Sequence, residues 1–384
     1  MTKYIVCSLI LISLNLIVTN SGLSQMNRAP LRIGMITSLS GPLKPLGTQT
    51  VNGLKLAVEH FKVNNPELAS FIQLNINDDQ SLPSKALEVT KNLIDSRSAD
   101  VFIGPLTSTA TLTVSPIIET SRKPLVTATE TSILNNSNYF FRSPTADSYQ
   151  AILLARFTFQ KLGKKRVSII FQKDSQYSKQ MKEAYEQEFK RLGGVIANIE
   201  FFVGGVTDFS PILKAIKRKK SAAIFAPVFY DSVSQLVIQS KKSGLSIPFI
   251  GVTAWDSPSL YSNTSKIAIA GHYFPAYFSI DDPNEAIKEF VLSYRRRFGK
   301  APDVYAALSY DAAMVIVEAY KKANTSRTTP FLNALTNLKE VTGLYPIISF
   351  DKHRNARRSM SIRKTTQSGS EFYDNIGFSI PTQN

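Results

Sequence analysis

The chain has 384 residues, 43% of them apolar, and a formal charge of +16. That length exceeds one ordinary core, so two domains are the default, and the apolar share excludes a disordered chain. The single cysteine, Cys7, excludes a disulfide framework and a cysteine metal site.

Residues 1–24 stand apart. Lys3 precedes an apolar stretch at 4–18, interrupted by Ser8, Ser13 and Asn15, and the small polar run Thr19-Asn20-Ser21-Gly22-Leu23-Ser24 follows. This is the layout of a secretory signal cleaved near Ser24, and the stretch is short for a spanning helix. Export to the periplasm is therefore expected. Acylation at Cys7 is disfavoured, because Val6 is not small and too few residues precede it for an apolar core.

From residue 31 short apolar runs alternate with amphipathic stretches. Residues 31–36 read as a strand. Residues 47–64 carry Val51, Leu54, Ala57, Val58 and Phe61 at the spacing of one helix face. A strand at 71–77, a helix at 84–96 and a strand at 101–104 follow. Gly104-Pro105 then leads into Thr107-Ser108-Thr109, a helix at 110–121, a strand at 124–128 and a second hydroxyl loop with Thr129, Glu130 and Thr131. The βαβα order implies a parallel sheet with helices on both faces.

The pattern restarts after residues 139–144. Helices are expected at 148–162, 178–192, 209–217 and 232–242, with strands at 166–171, 199–203, 222–228 and 248–251 between and after them. A strand-like run at 271–278 precedes helices at 284–298, 306–322 and 330–337, and short strands at 347–351 and 359–364 end the chain. Those three helices lack interleaved strands and are best read as completing the first unit. The expected fold is therefore α/β, with two doubly wound parallel-sheet lobes. Residues 30–146 plus 276–349 form one lobe and 147–275 plus 350–384 the other, joined by three crossovers near 144–147, 272–276 and 346–351. The carboxyl ends of both sheets then face one cleft, and several hinge strands suit a clamshell.

The hydroxyl loops carry the chemistry. A helix start has free N–H groups and partial positive charge, and Ser or Thr beside it adds donors without bulk, which suits an anionic group. Helix capping alone is the alternative for Ser108 and Thr131. Nothing resembles a nucleophile with its base. His60, His272 and His353 are isolated, and no H-E-x-x-H, G-x-S-x-G or phosphate-loop motif is present. Asp78-Asp79 is read as structural, since adjacent strand residues point in opposite directions. The basic runs at 217–220, 295–297 and 354–358 fall at expected helix ends and turns. They read as solvated termini suited to the helix dipole rather than a nucleic-acid face.

Several segments in order resemble the type I periplasmic binding proteins of the branched-chain amino acid and amide class. They are Ile33-Gly34-Met35-Ile36-Thr37-Ser38-Leu39-Ser40-Gly41-Pro42, Gly47, Asn52-Gly53, Asn77-Asp78-Asp79-Gln80, Ile103-Gly104-Pro105, Lys173-Asp174-Ser175-Gln176-Tyr177 and Ser243-Gly244-Leu245. The resemblance covers essentially residues 30–384. It implies that Ser108, Thr129 and Thr131 grip a ligand carboxylate, with a threonine of the second loop also helping to hold an ammonium. It implies too that Tyr177 and Phe229 cover the ligand. Where amino-acid binders of the family place an acid for the ammonium, this chain has Thr253, which disfavours a simple α-amino acid; Asp256 or Glu130 are the possible substitutes. Trp255 would offer a flat face to an apolar or aromatic ligand.

The function so implied is that of an extracytoplasmic solute-binding protein. It would capture a small carboxylate-bearing molecule, an amino acid or a related organic acid or amide, and deliver it to an ABC permease in the membrane. A ligand sensor or an envelope scaffold using the same fold are the alternatives. No enzymatic activity, cofactor, metal or nucleic-acid partner is expected, and the chain is expected to be a monomer.

Overall fold

The structure is a computed structural model that describes residues 28–127, 137–257, 260–261, 264 and 266–377. The expected signal segment, Cys7, Thr129, Glu130 and Thr131 lie outside the described residues.

The first lobe opens with β1 (Leu31–Thr37), α1 (Lys44–Asn64), β2 (Ile72–Asp78), α2 (Pro83–Asp95), β3 (Val101–Ile103), α3 (Ser108–Ser121), β4 (Leu125–Thr127) and β5 (Phe140–Thr145). β1, β3, β4 and β5 are buried on both faces, as a helix-covered parallel sheet requires, while the edge strand β2 is mostly half-buried. The chain then passes into the second lobe through α4 (Asp147–Arg156), β6 (Arg166–Gln172), α5 (Gln176–Arg191), β7 (Val195–Phe202), α6 (Ser210–Arg218), β8 (Ala223–Phe225), α7 (Tyr230–Lys242), β9 (Phe249–Ile250), a short α8 (Lys266–Ile269) and β10 (Tyr273–Ala276). It returns with α9 (Glu285–Phe298), α10 (Val304–Ala323), α11 (Thr328–Thr336), β11 (Lys339–Val341), β12 (Ile347–Phe350) and β13 (Asn355–Arg358). It ends in the second lobe with β14 (Met360–Thr365) and β15 (Ser370–Ile376).

Among the described residues the first sheet runs β11-β12-β13-β5-β4-β3-β1-β2 and the second β15-β14-β10-β9-β8-β6-β7. The pairs from β13 to β2 are parallel, as are those from β10 to β7; the remaining pairs are antiparallel. Each lobe has its own core. Leu54, Phe61, Ile287, Phe290 and Ile316 belong to the first, and Ile169, Tyr185, Phe225, Leu236 and Ile362 to the second. The helices after β10 pack into the first core through Ile287, Ile316 and Phe331. α10 is buried on most sides, which its alanine-rich sequence permits at close approach.

Three passages join the sheets, at 145–147, after Ala276 and at Ser359. The last lies later than the expected crossover near 346–351. Residues 350–358, expected in the second lobe, pair in the first sheet: Phe350 with Ala356, and Asn355 with Arg142. The reason is a buried charge. Arg358, at the end of a basic tetrapeptide, is 1% exposed and pairs with Asp311 of α10, donating also to the Ser143 carbonyl oxygen. A second tie is the hydrogen bond from the Tyr277 hydroxyl to the Thr145 carbonyl oxygen, 3.2 Å.

Candidate functional site

A cleft of about 510 Å³ opens where the carboxyl ends of both sheets meet. Its first-lobe wall comes from the turn after β3 and the start of α10. Gly104 makes the turn possible: its φ is +95°, and a Cβ there would stand 2.1 Å from the Ile36 carbonyl oxygen. Thr107 is the N-cap of α3, its side chain accepting the Ala110 N–H at 3.2 Å. The capping alternative for Ser108 is thereby excluded. Ser108 is the exposed first residue of the helix, and it lines the cleft beside Leu106. Asp303 caps α10 through the N–H groups of Tyr305 and Ala306, both 3.0 Å, and so presents Val304, Tyr305 and Leu308 to the cleft.

The second-lobe wall comes from the loops after β6, β8, β9 and β10. Ser175 caps α5, accepting the Ser178 N–H, which fixes Tyr177 in the first turn. Phe229 follows β8 at the N-cap of α7. The two rings lie 5.3 Å apart, inclined by 31°. Thr253, Ala254 and Asp256 follow β9, Ala276 ends β10 and Tyr277 follows it.

Of the residues expected at a site, Ser108, Tyr177, Phe229 and Thr253 share this cleft. Trp255 does not. It is fully buried, donates its indole N–H to the Val228 carbonyl oxygen at 3.0 Å, and lies across Gly251, where any Cβ would fall 2.2 Å from the ring. The sole tryptophan is therefore a wedge in the second-lobe core that sets the turn on either side of it. Its neighbours Ala254 and Asp256, not its own face, reach the cleft.

Thr253 is held by a residue the sequence did not single out. The buried Gln150 of α4 accepts the Thr253 N–H and donates to its hydroxyl, each at 3.2 Å. A polar side chain among Ala151, Leu153 and Leu154 was the available signal. Among the described residues that line the cleft, Asp256 is the only charged side chain. It keeps a solvent-exposed edge, yet the enclosing walls push its carboxyl above the usual range, with the Arg363 guanidinium acting in the opposite sense. An acid in that setting favours a cationic partner.

The other candidate groups lie elsewhere. Asp78 accepts the N–H groups of Leu39, Ser40 and Gln80, and Asp79 accepts the Ser38 hydroxyl and the Ser81 N–H, so both shape a turn. His60 meets the Tyr310 hydroxyl at 2.9 Å. His272 is buried, accepting the Phe249 N–H at Nδ1 and facing the Ala268 carbonyl oxygen with Nε2; burial holds its pKa down to about 4. No group of three metal-ligating side chains occurs among the described residues, and no helix there is long and apolar enough to cross a membrane.

A family model described as periplasmic binding protein matches residues 30–370. The Leu/Ile/Val/Thr-binding protein of Salmonella typhimurium is 25% identical over 247 residues, 63% of this chain and 65% of that protein. This chain thus spans slightly less than two thirds of that relative. The structure of the branched-chain amino acid transporter substrate binding protein LivJ from Streptococcus pneumoniae, in complex with isoleucine, is 25% identical. It superposes with a TM-score of 0.63 over 90% of this chain and 99% of its own. An ABC transporter solute binding protein from Rhodopseudomonas palustris, in complex with 3,4-dihydroxybenzoic acid, is 22% identical, with a TM-score of 0.63 over 92% and 99%.

Proposed function

Because this chain belongs to the periplasmic binding protein family, we propose that it is an exported receptor that captures a small carboxylate-bearing solute between its lobes. It then hands the solute to an ABC permease. The observation that carries the reading is the pairing of Ser108, at the start of α3, with Asp256 on the opposite wall of one cleft. The helix start and hydroxyl suit a carboxylate leaving water. The Asp256 carboxyl, exposed at one edge and with its pKa raised by the cleft walls, suits an ammonium. Leu106, Val304 and Leu308 leave an apolar space between them, and the Tyr177–Phe229 pair supplies a cover.

The ligand class that follows is an α-amino acid with an apolar side chain. The acid that Thr253 lacks is restored three residues later, so the argument from Thr253 against amino acids loses its force. The fold itself does not choose the ligand, since a relative of the same architecture holds an aromatic acid. Thr129 and Thr131 join Ser108 in the proposal as carboxylate donors.

Lobe closure belongs to the same reading, because the three passages between the sheets form a narrow hinge. The experiment is a thermal-shift screen of protein refolded to remove bound solute, against amino acids, short amides and aromatic carboxylates. Ligand that binds only the native state raises the melting temperature in a dose-dependent way. The reading expects the largest rise with an apolar amino acid, together with compaction in small-angle scattering. No rise across the panel would reject it in favour of a closed-off cleft.

A further inference from the structure

The basic run at 217–220, which the cleft leaves unused, meets other basic loops at one end of the second lobe. β6, β8 and β9 are parallel, so their starts lie side by side, opposite the strand ends that line the cleft. The loops that enter these strands and β7 are 161–166, 190–195, 217–222 and 241–248. Together they contain twelve Lys and Arg and no Asp or Glu. Backbone and side-chain bonds knit them together. Arg166 Nε donates to the Lys219 carbonyl oxygen at 3.0 Å, and Lys217 Nζ donates to that of Ser243 at 2.7 Å. The Ala222 N–H donates to the Arg166 carbonyl oxygen at 2.8 Å. All twelve cations are exposed except Lys164, which is half-buried.

Helix ends account for part of this charge. Lys190, Arg191, Lys217, Arg218, Lys241 and Lys242 occupy the last turns of α5, α6 and α7, where a cation complements the dipole. Three cations also have carboxylate partners: Lys161 with Asp374, Lys190 with Glu186 and Arg191 with Glu188. Neither explanation reaches Lys164, Lys165, Arg166, Lys219 and Lys220. These lie beyond the helices and form no ion pair among the described residues. A concentrated cationic pole of this kind repels itself unless a polyanion meets it.

We propose that this pole is a docking face for a bilayer surface rich in anionic phospholipids. The face is a set of loop tips at one end of the lobe, which suits a flat partner. Its four loops hold no aromatic residue, and the single ring at their border, Phe159 beneath Lys165, falls short of the interleaved rings that single-stranded nucleic acid stacks upon. Clustered Lys and Arg attract anionic headgroups within a Debye length of the surface. β6 separates pole from cleft by seven residues, about 23 Å of strand. The docked protein therefore keeps its cleft open, and this inference stands independently of the ligand class.

The test is co-sedimentation of the purified protein with phosphatidylcholine vesicles, with and without about 30 mol% phosphatidylglycerol, at about 50 and about 300 mM salt. Binding is expected only to the anionic vesicles and should weaken at least about tenfold at the higher salt. The variant Arg218→Gln/Lys219→Gln/Lys220→Gln/Lys242→Gln alters four exposed side chains that form no hydrogen bond or ion pair among the described residues. It should lose binding about tenfold or more while its melting temperature and solute affinity stay unchanged. The first-lobe variant Arg295→Gln/Arg296→Gln/Arg297→Gln should bind like the parent. Equal binding to neutral vesicles, equal losses in both variants, or no loss in the pole variant would each overturn the proposal. Displacement from vesicles by duplex DNA at matched phosphate would overturn it too and assign the pole to nucleic acid.

Discussion

The two walls of the cleft are made of different chemistry. The first-lobe wall is built from helix starts, a hydroxyl, aliphatic side chains and a single ring: Ser108 on α3, and Val304, Tyr305 and Leu308 on α10. The second-lobe wall is built from rings and one acid: Tyr177, Phe229, Tyr277 and Asp256. Backbone dipoles and hydroxyls hold an anion without placing a full charge in the wall. The Asp256 carboxylate of the second lobe, exposed at one edge, is disfavoured by the walls around it and only partly offset by Arg363, so a cation in the cleft stabilises it. The first wall grips, and the second discriminates and covers.

The sharpest test of this division separates the residues that build the second wall from those that use it. Trp255→Ala removes the wedge over Gly251 and should destabilise the protein by about 3–5 kcal/mol in denaturant melts. Refolded Trp255→Phe should keep its solute affinity within about twofold, because a residue that never faces the cleft contributes little to binding directly. A selective loss of affinity in Trp255→Phe at full stability would return that ring to the site.

Asp256→Asn comes next. Affinity for an apolar α-amino acid, read by calorimetry, should fall about 100-fold, the scale of a charge-assisted pair. The same variant makes a pH prediction with a definite sign. Burial raises the folded pKa of Asp256 above its unfolded value. The stability it contributes is therefore present at low pH and lost as pH rises through the folded value, so the empty Asp256→Asn protein should melt higher than the parent at neutral pH. Ligand affinity of the parent runs the other way: it should fall as pH drops through that raised pKa and the carboxylate is protonated. A parent affinity flat down to the ordinary carboxylate range would separate Asp256 from the ligand.

Ser108→Ala should cost about tenfold in affinity, near 1.4 kcal/mol, with unchanged stability, because Thr107 and not Ser108 caps α3. Pairing it with Thr131→Ala should deepen the loss. Phe229→Ala should be the mildest. Its ring is exposed beside Tyr177, so its removal should speed ligand release about threefold in stopped-flow traces and leave the association rate nearly intact.

Much of the fold was legible because periodicity carries it. The expected helix at 178–192 is found at Gln176–Arg191, and that at 284–298 at Glu285–Phe298, each with the apolar spacing of one buried face. Asn355–Arg358 was illegible because its sequence is polar and basic. Only the buried partner Asp311, forty-seven positions away, makes a core strand of it. Ser370–Ile376 was missed for a related reason, being a half-exposed edge strand with acids at Glu371 and Asp374.

At the site, Ser108, Tyr177 and Phe229 were legible because each follows a strand at its carboxyl end. Trp255 was misjudged because a loop aromatic next to a strand end can point either way, and Gly251 gave it room to turn inward. Gln150 was hidden inside a helix whose neighbours are apolar.

The most direct test compares, by calorimetry on solute-free protein, a branched-chain amino acid with the same acid lacking its amine. The account predicts that the amino acid binds at least about 100-fold more tightly, because only that ligand brings Asp256 a cation from within the cleft, beyond the field of Arg363. Equal affinity, or tighter binding of the amine-free acid, would contradict it and leave Ser108 and its neighbouring helix start as an anion site without a charge partner across the cleft.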